Sequence, residues 1–157
     1  MISGKTNPVP SGPPPGIRHL TLLTAVDGRS TLGEACLRGF VEQSLGGKAA
    51  PLWMKVFEGD LDSVLFTILP AGWTGEWHES PGPQWVVALK GRWFIETQDR
   101  KRVEMGPGEI HWGADLGTAA PDGNTGHRSG ALDGEECVLL MIRFKRNNHL
   151  DPAVRNL

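Results

Sequence analysis

The sequence has no tyrosine and two cysteines among its 157 residues. The first absence removes any phenolic acid or base from the catalytic inventory. The two cysteines, Cys36 and Cys137, lie far apart. They form no Cys-x-x-Cys pair and no metal-ligand spacing. Both read as reduced, buried and inert thiols, which suits a cytoplasmic protein. No apolar run approaches the roughly 20 residues that a membrane helix needs. Met1–Gly16 lacks the apolar core of a secretory signal. Charge of one sign is also missing. A net charge of -2 and a pI near 6.2 give no reason to expect nucleic acid or an anionic membrane as partner. The basic run Arg100-Lys101-Arg102 reads as a solvated turn rather than a phosphate site.

Glycine (21) and proline (12) are plentiful, so the chain turns often, and that favours short strands over long helices. Hydrophobic residues make up 39% and charged residues 22%, the composition of one ordinary globular domain. Residues 1–16 are rich in Pro and Gly and are expected to be disordered or extended. The folded domain is placed at 17–145 and a tail at 146–157. Ile17–Val26 reads as an edge strand. Thr31–Gly46 is ambiguous, because Leu32, Cys36 and Phe40 carry helical spacing while Gly33 and Gly39 weaken a helix. From Leu52 the signal is β: Leu52–Glu58, Ser63–Leu69, Gln84–Lys90, Arg92–Thr97, Arg102–Met105, Glu109–Gly113 and Glu136–Phe144. Gln84–Lys90 and Arg92–Thr97 flank Gly91 and look like a hairpin. Thr118–Gly134 reads as a loop with one short strand near His127. A turn every ten or so residues predicts an all-β barrel or sandwich, with no βαβ units.

The informative segment is GWTGEWHESPGPQWVVALKG, from Gly72 to Gly91. Residues two apart on a strand share a face. His78 and Ser80 therefore point one way, and Gln84, Val86 and Ala88 share a face on the following strand. With that face turned inward, a few polar groups sit over small apolar residues, the general form of a ligand pocket. Trp77, Trp85, Val87 and Leu89 then face outward. They need cover from the N-terminal segment or a second subunit. Trp73 and Trp112 are candidate pocket walls. His111 lies on a strand and could face either side. Glu79 alternates with His78 and Ser80 and is expected to be solvated, while His19 and His149 are expected on the surface.

The same segment resembles the first motif of the cupin superfamily, a Gly, then His-x-His, then Glu, then a hairpin Gly. Ser80 stands where the second His is usual and Gln84 where Glu is usual. Gly106-Pro107-Gly108-Glu109 is similar to the opening turn of the second motif. Asp115 and Gly126-His127 fit the version seen in small single-domain bacterial cupins of the RmlC-like jelly-roll type. The resemblance covers about residues 52–144. It implies an all-β fold, a single antiparallel barrel or jelly roll, whose mouth carries His78, Gln84 and His127. It also implies a site for a divalent transition metal such as Fe, Mn, Ni or Zn. Two imidazoles and a neutral carboxamide fall short of the usual donor set, so a weakly held metal and a metal-free pocket both stay open. Two functions follow. One is an enzyme of dioxygenase or isomerase type on a small organic molecule, with His78 as ligand or general base. The other is a non-catalytic small-ligand-binding or regulatory module that has lost its metal. A homodimer is expected in either case, because strand edges and outward tryptophans need covering.

Overall fold

A computed structural model describes residues 12–146. The proposed ends of the terminal segments, 1–11 and 147–157, lie outside the described residues. Eleven strands follow one another with no helix among the described residues: β1 (Ile17–Thr24), β2 (Ser30–Leu37), β3 (Val41–Gln43), β4 (Leu52–Met54), β5 (Leu61–Leu69), β6 (Gln84–Lys90), β7 (Trp93–Thr97), β8 (Arg102–Met105), β9 (Ile110–Ala114), β10 (His127–Ala131) and β11 (Cys137–Phe144). They form a six-stranded sheet in the order β2-β1-β9-β6-β11-β5, a three-stranded sheet β10-β7-β8, and the pair β3-β4. The arrangement is all-β and resembles a jelly roll.

Three expectations about the fold need correction. The sheet is mixed, because β1 runs parallel to β9 with Leu20 beside His111, and neither sheet closes on itself into a barrel among the described residues. The segment after Ile17 is an interior strand, with β2 and β9 on its two sides. The ambiguous stretch resolves as strand over Ser30–Leu37. Finally, β6 and β7 are not a hairpin. β6 pairs with β9 and β11, while β7 pairs with β8 and β10. Gly91, at φ 72°, turns the chain from one sheet into the other, and a Cβ there would collide with the Glu136 carbonyl.

Alternation on each strand sorts the side chains. Leu22, Leu32, Leu69, Val86, Ala88, Cys137 and Leu139 of the large sheet meet Trp93, Ile95 and Met105 of the small one in one buried cluster. This packing fills the space between the sheets. The next residues along the same strands face the other way, where Trp85, Trp112 and Phe144 form a second cluster. Its cover is Phe57, from the segment between β4 and β5, whose ring centroid lies 5.5 Å from both Trp85 and Trp112 and 5.0 Å from Phe144. β6 is thus buried on both faces for most of its length, which explains its nearly continuous apolar run. Fully burying such side chains contributes about 1.5–3 kcal/mol each. Both cysteines are free thiols. Cys137 is buried, and burial pushes its thiol pKa up, whereas Cys36 is only half-buried, contrary to expectation.

Candidate functional site

His78 and His127 come together although 49 positions separate them in sequence. His78 N–H donates to the His127 carbonyl and His127 N–H to the His78 carbonyl, both at 2.8 Å. This isolated bridge sets the two rings at a centroid separation of 4.6 Å, tilted by 49°. The close approach requires Gly126. Its φ is 66°, and a Cβ there would overlap the His78 carbonyl. A buried Ser30 hydroxyl donates to the Gly126 carbonyl at 2.6 Å and fixes the loop from behind.

Asp115 organises the site. It is fully buried, and its Oδ1 accepts from Ser80 N–H at 3.0 Å and from Ser80 Oγ at 2.5 Å. Its Oδ2 lies 2.6 Å from His127 Nδ1. A carboxylate oxygen accepts, so His127 Nδ1 carries the proton, and in the neutral ring Nε2 is left as an acceptor. His78 has the same tautomer for a different reason, since its Nδ1 faces the Glu76 carbonyl at 2.8 Å. In its neutral form each imidazole therefore offers an Nε2 lone pair. They differ in access, His78 being exposed and His127 buried.

Glu79 does more than sit in solvent. Its Oε1 accepts from Thr118 N–H (2.6 Å) and Thr118 Oγ (2.8 Å), and Thr118 Oγ accepts from Gly126 N–H (2.8 Å). Burial alone would raise the Glu79 pKa, but the Thr118 and Gly117 donors and the Arg146 charge outweigh it and hold it below the ordinary value. The loop that delivers His127 is thereby tied to the segment that carries His78.

Gln84 is placed differently from expectation. It is buried opposite Gly113 on β9 and Arg143 on β11. Its Oε1 accepts from Arg143 Nε at 3.4 Å, and it makes no hydrogen bond to either imidazole. Ser80 is buried, but its hydroxyl is committed to Asp115. Val86 and Ala88 belong to the packed core. Trp112 lies on the opposite face of the sheet, in the cluster under Phe57, because it alternates with the inward His111 and Gly113. Trp73 is partly exposed at the start of the segment, where its carbonyl accepts from Ala131 N–H. His111 is buried beside the Trp93 ring, 5.4 Å between centroids, with Nδ1 unpartnered. Burial, then the charges of His127 and His19, lower its pKa to about 3. His19, expected at the surface, is buried edge-on against Trp85, and burial lowers its pKa too.

The residues present do not fit a resident metal. No group of three His, Cys, Asp or Glu side chains is arranged to hold one among the described residues. The Asp115 carboxylate meets the His127 ring from behind, at Nδ1, and the amide oxygen of Gln84 already meets a guanidinium. The sequence reading missed Arg143. Its signal was visible, as the one charged side chain in the otherwise apolar run Cys137–Phe144.

No family model and no curated protein matches the chain. Solved structures with a similar course include a protein of Neisseria meningitidis, at 14% identity over 59% of this chain and 89% of that one, with a TM-score of 0.40. A cupin-like protein of Thermotoga maritima is similar at 18% identity over 71% of this chain and 86% of that one, with a TM-score of 0.45.

Proposed function

We propose that this chain is a cupin-like, non-catalytic binding module for a small organic molecule bearing hydroxyl or amine donors, with His78 and His127 as its recognition groups. The observation that carries this reading is the fixed tautomer of both rings. Each imidazole has its Nδ1 against an oxygen of the protein, which in the neutral rings leaves two Nε2 acceptors on imidazoles whose centroids lie 4.6 Å apart. A ligand hydroxyl or amine meets that pair without reorganising it, and preorganisation of this kind is what keeps a small-molecule site effective. The placing among RmlC-like cupins is part of the same proposal. Calorimetric titration with a panel of polyols, sugars and amino alcohols tests it. One or more should bind, and His78→Ala and His127→Ala should each weaken binding at least tenfold. Turnover that depends on an added transition metal and disappears in His78→Ala would replace this reading with the metal-enzyme one.

The module is further proposed to act as a homodimer, through a surface other than the one first expected. Trp85 is already covered by Phe57. The open apolar surface is the outer face of β5, an edge strand, where Val64, Phe66 and Ile68 are all exposed, Phe66 by 76%. Leu140 lies beside Phe66, Val138 beside Ile68 and Ile142 beside Val64. The row is symmetric about Phe66, so a two-fold axis through that residue pairs Phe66 with itself and Val64 with Ile68, the self-complementary geometry of an isologous interface.

A further inference from the structure

Trp77 alternates with His78 and faces the other way, toward a surface cavity of about 500 Å³ that neither imidazole lines. Its walls come from three places: the β1–β2 turn with Arg29, the β7–β8 turn with Gln98 and Arg100, and the long loop with Asp122. Gln98 locks the three together. Its Oε1 accepts from Ser30 N–H at 2.8 Å, and its Nε2 donates to the carbonyls of Ala119 (2.7 Å) and Asn124 (2.6 Å). The cavity is thus built from turns that cannot move independently. Its volume is in the range of small-molecule sites.

Arg100 is the unexplained residue here. It sits at φ 64°, in the left-handed region that a turn normally gives to Gly or Asn. A long side chain at this position is strained, and strain of this kind concentrates where function needs it. The guanidinium gives nothing back to the fold, since it makes no hydrogen bond or ion pair among the described residues. Arg29 is held only by a 3.7 Å contact to Asp27 with both side chains largely exposed, a weak attachment in water. Glu96, also in the wall, is already neutralised by Arg128 at 2.9 Å and by Arg102 at 3.7 Å. Asp122 is the remaining carboxylate in the cavity wall.

We infer that this cavity is a binding site for an aromatic carboxylate, with the ring against Trp77 and the carboxylate between Arg29 and Arg100. Arg supplies planar, two-pronged donors for a carboxylate, and the indole supplies a flat apolar wall. The site is independent of the His78–His127 pair, so the two proposals stand or fall separately.

The test is calorimetric titration of the full chain with 2-naphthoate, alongside cyclohexanecarboxylate, which lacks the aromatic ring, and 2-naphthylmethanol, which lacks the charge. The naphthoate should bind, with both controls at least tenfold weaker. Arg100→Gly should weaken naphthoate binding at least tenfold while the melting temperature stays at or above that of the wild type, because Gly accepts this φ freely. Asp122→Asn should tighten binding, and His78→Ala should leave it unchanged. No naphthoate binding at millimolar concentration overturns the inference. So does equal binding of the two controls, or an Arg100→Gly variant with wild-type affinity.

Discussion

Acid should unfold this protein partly through one residue. His111 is buried with its Nδ1 unpartnered, and its pKa falls from 6.5 to about 3, first through burial and then through the charges of His127 and His19. Its folded pKa lies below the unfolded one, so below pH 6.5 the unfolded chain binds a proton that the folded chain refuses. The stability is intact above pH 6.5 and is lost as pH falls toward 3, at about 1.4 kcal/mol per pH unit. Between pH 7.5 and 4.5 the loss from this group is roughly 3 kcal/mol, a large part of the 5–15 kcal/mol that a domain has in total. Burial lowers the pKa of His19 as well, so it acts in the same direction. Urea denaturation of wild type and His111→Leu at both pH values isolates the contribution, because the carboxylates titrate alike in the two proteins. The variant should match wild type to within about 1.5 kcal/mol at pH 7.5, since the lost imidazole left an orphaned nitrogen. It should lose roughly 3 kcal/mol less than wild type on going to pH 4.5. Equal losses in the two proteins would refute the assignment.

Asp115→Asn should cost about 2–3 kcal/mol in chemical denaturation, because an amide placed among three donors must turn its own N–H₂ toward at least one of them; a loss below about 0.5 kcal/mol would mean that the network is not structural. Gly126→Ala should lower stability by about 2–4 kcal/mol, whereas Gly123→Ala, with the same sign of φ but open space around it, should cost only about 1 kcal/mol; equal melting shifts would contradict the close approach at His78. Phe66→Asp should convert a dimer to a folded monomer in light scattering, and a wild-type protein that is monomeric at high concentration defeats the β5 interface. Gln84→Glu should not create a zinc site detectable by calorimetry, because the new carboxylate pairs with Arg143; zinc binding gained by this single change would show that the guanidinium does not control the position.

Much of the strand pattern was legible because it is local. β6 and β9 alternate or run apolar, and their ends carry Gly and Pro, so their bounds fall within a residue or two of expectation. Partnership was not legible. Gly91 between two apolar strands reads as a hairpin on adjacency alone, yet the partners of β6 are β9 and β11, and the residue's φ serves a change of sheet. The parallel contact of β1 with β9 has no local signal either. Gly33 obscured β2, and its role is seen only in three dimensions, where a Cβ would stand 3.0 Å from Thr21 Oγ. In the site, the spacing marked His78 and Ser80 as candidates and the Gly-His pair marked His127, though His78 is exposed and Ser80 buried. What the spacing could not contain is the state of each donor, which depends on the local turn at Glu76 for the His78 ring and on neighbours further off in sequence for the rest, Asp115 for His127 and Arg143 for the amide.

Those neighbours favour the second of the two functions that the sequence left open. A metal site needs lone pairs converging from several donors, with a carboxylate to balance the cation. Here the carboxylate at 115 has spent both oxygens, one on Ser80 and one on the far side of the His127 ring. The Gln84 amide meets a positive charge instead. Ser80 and Gln84 are therefore more than two missing ligands. Each has been given a hydrogen-bonding partner of its own, and the bonds of Ser80 to Asp115 and of Glu79 to Thr118 brace the loop and ring of His127. A site assembled this way leaves neither oxygen of Asp115 unpaired for a cation, which supports the proposal of a neutral, donor-bearing ligand.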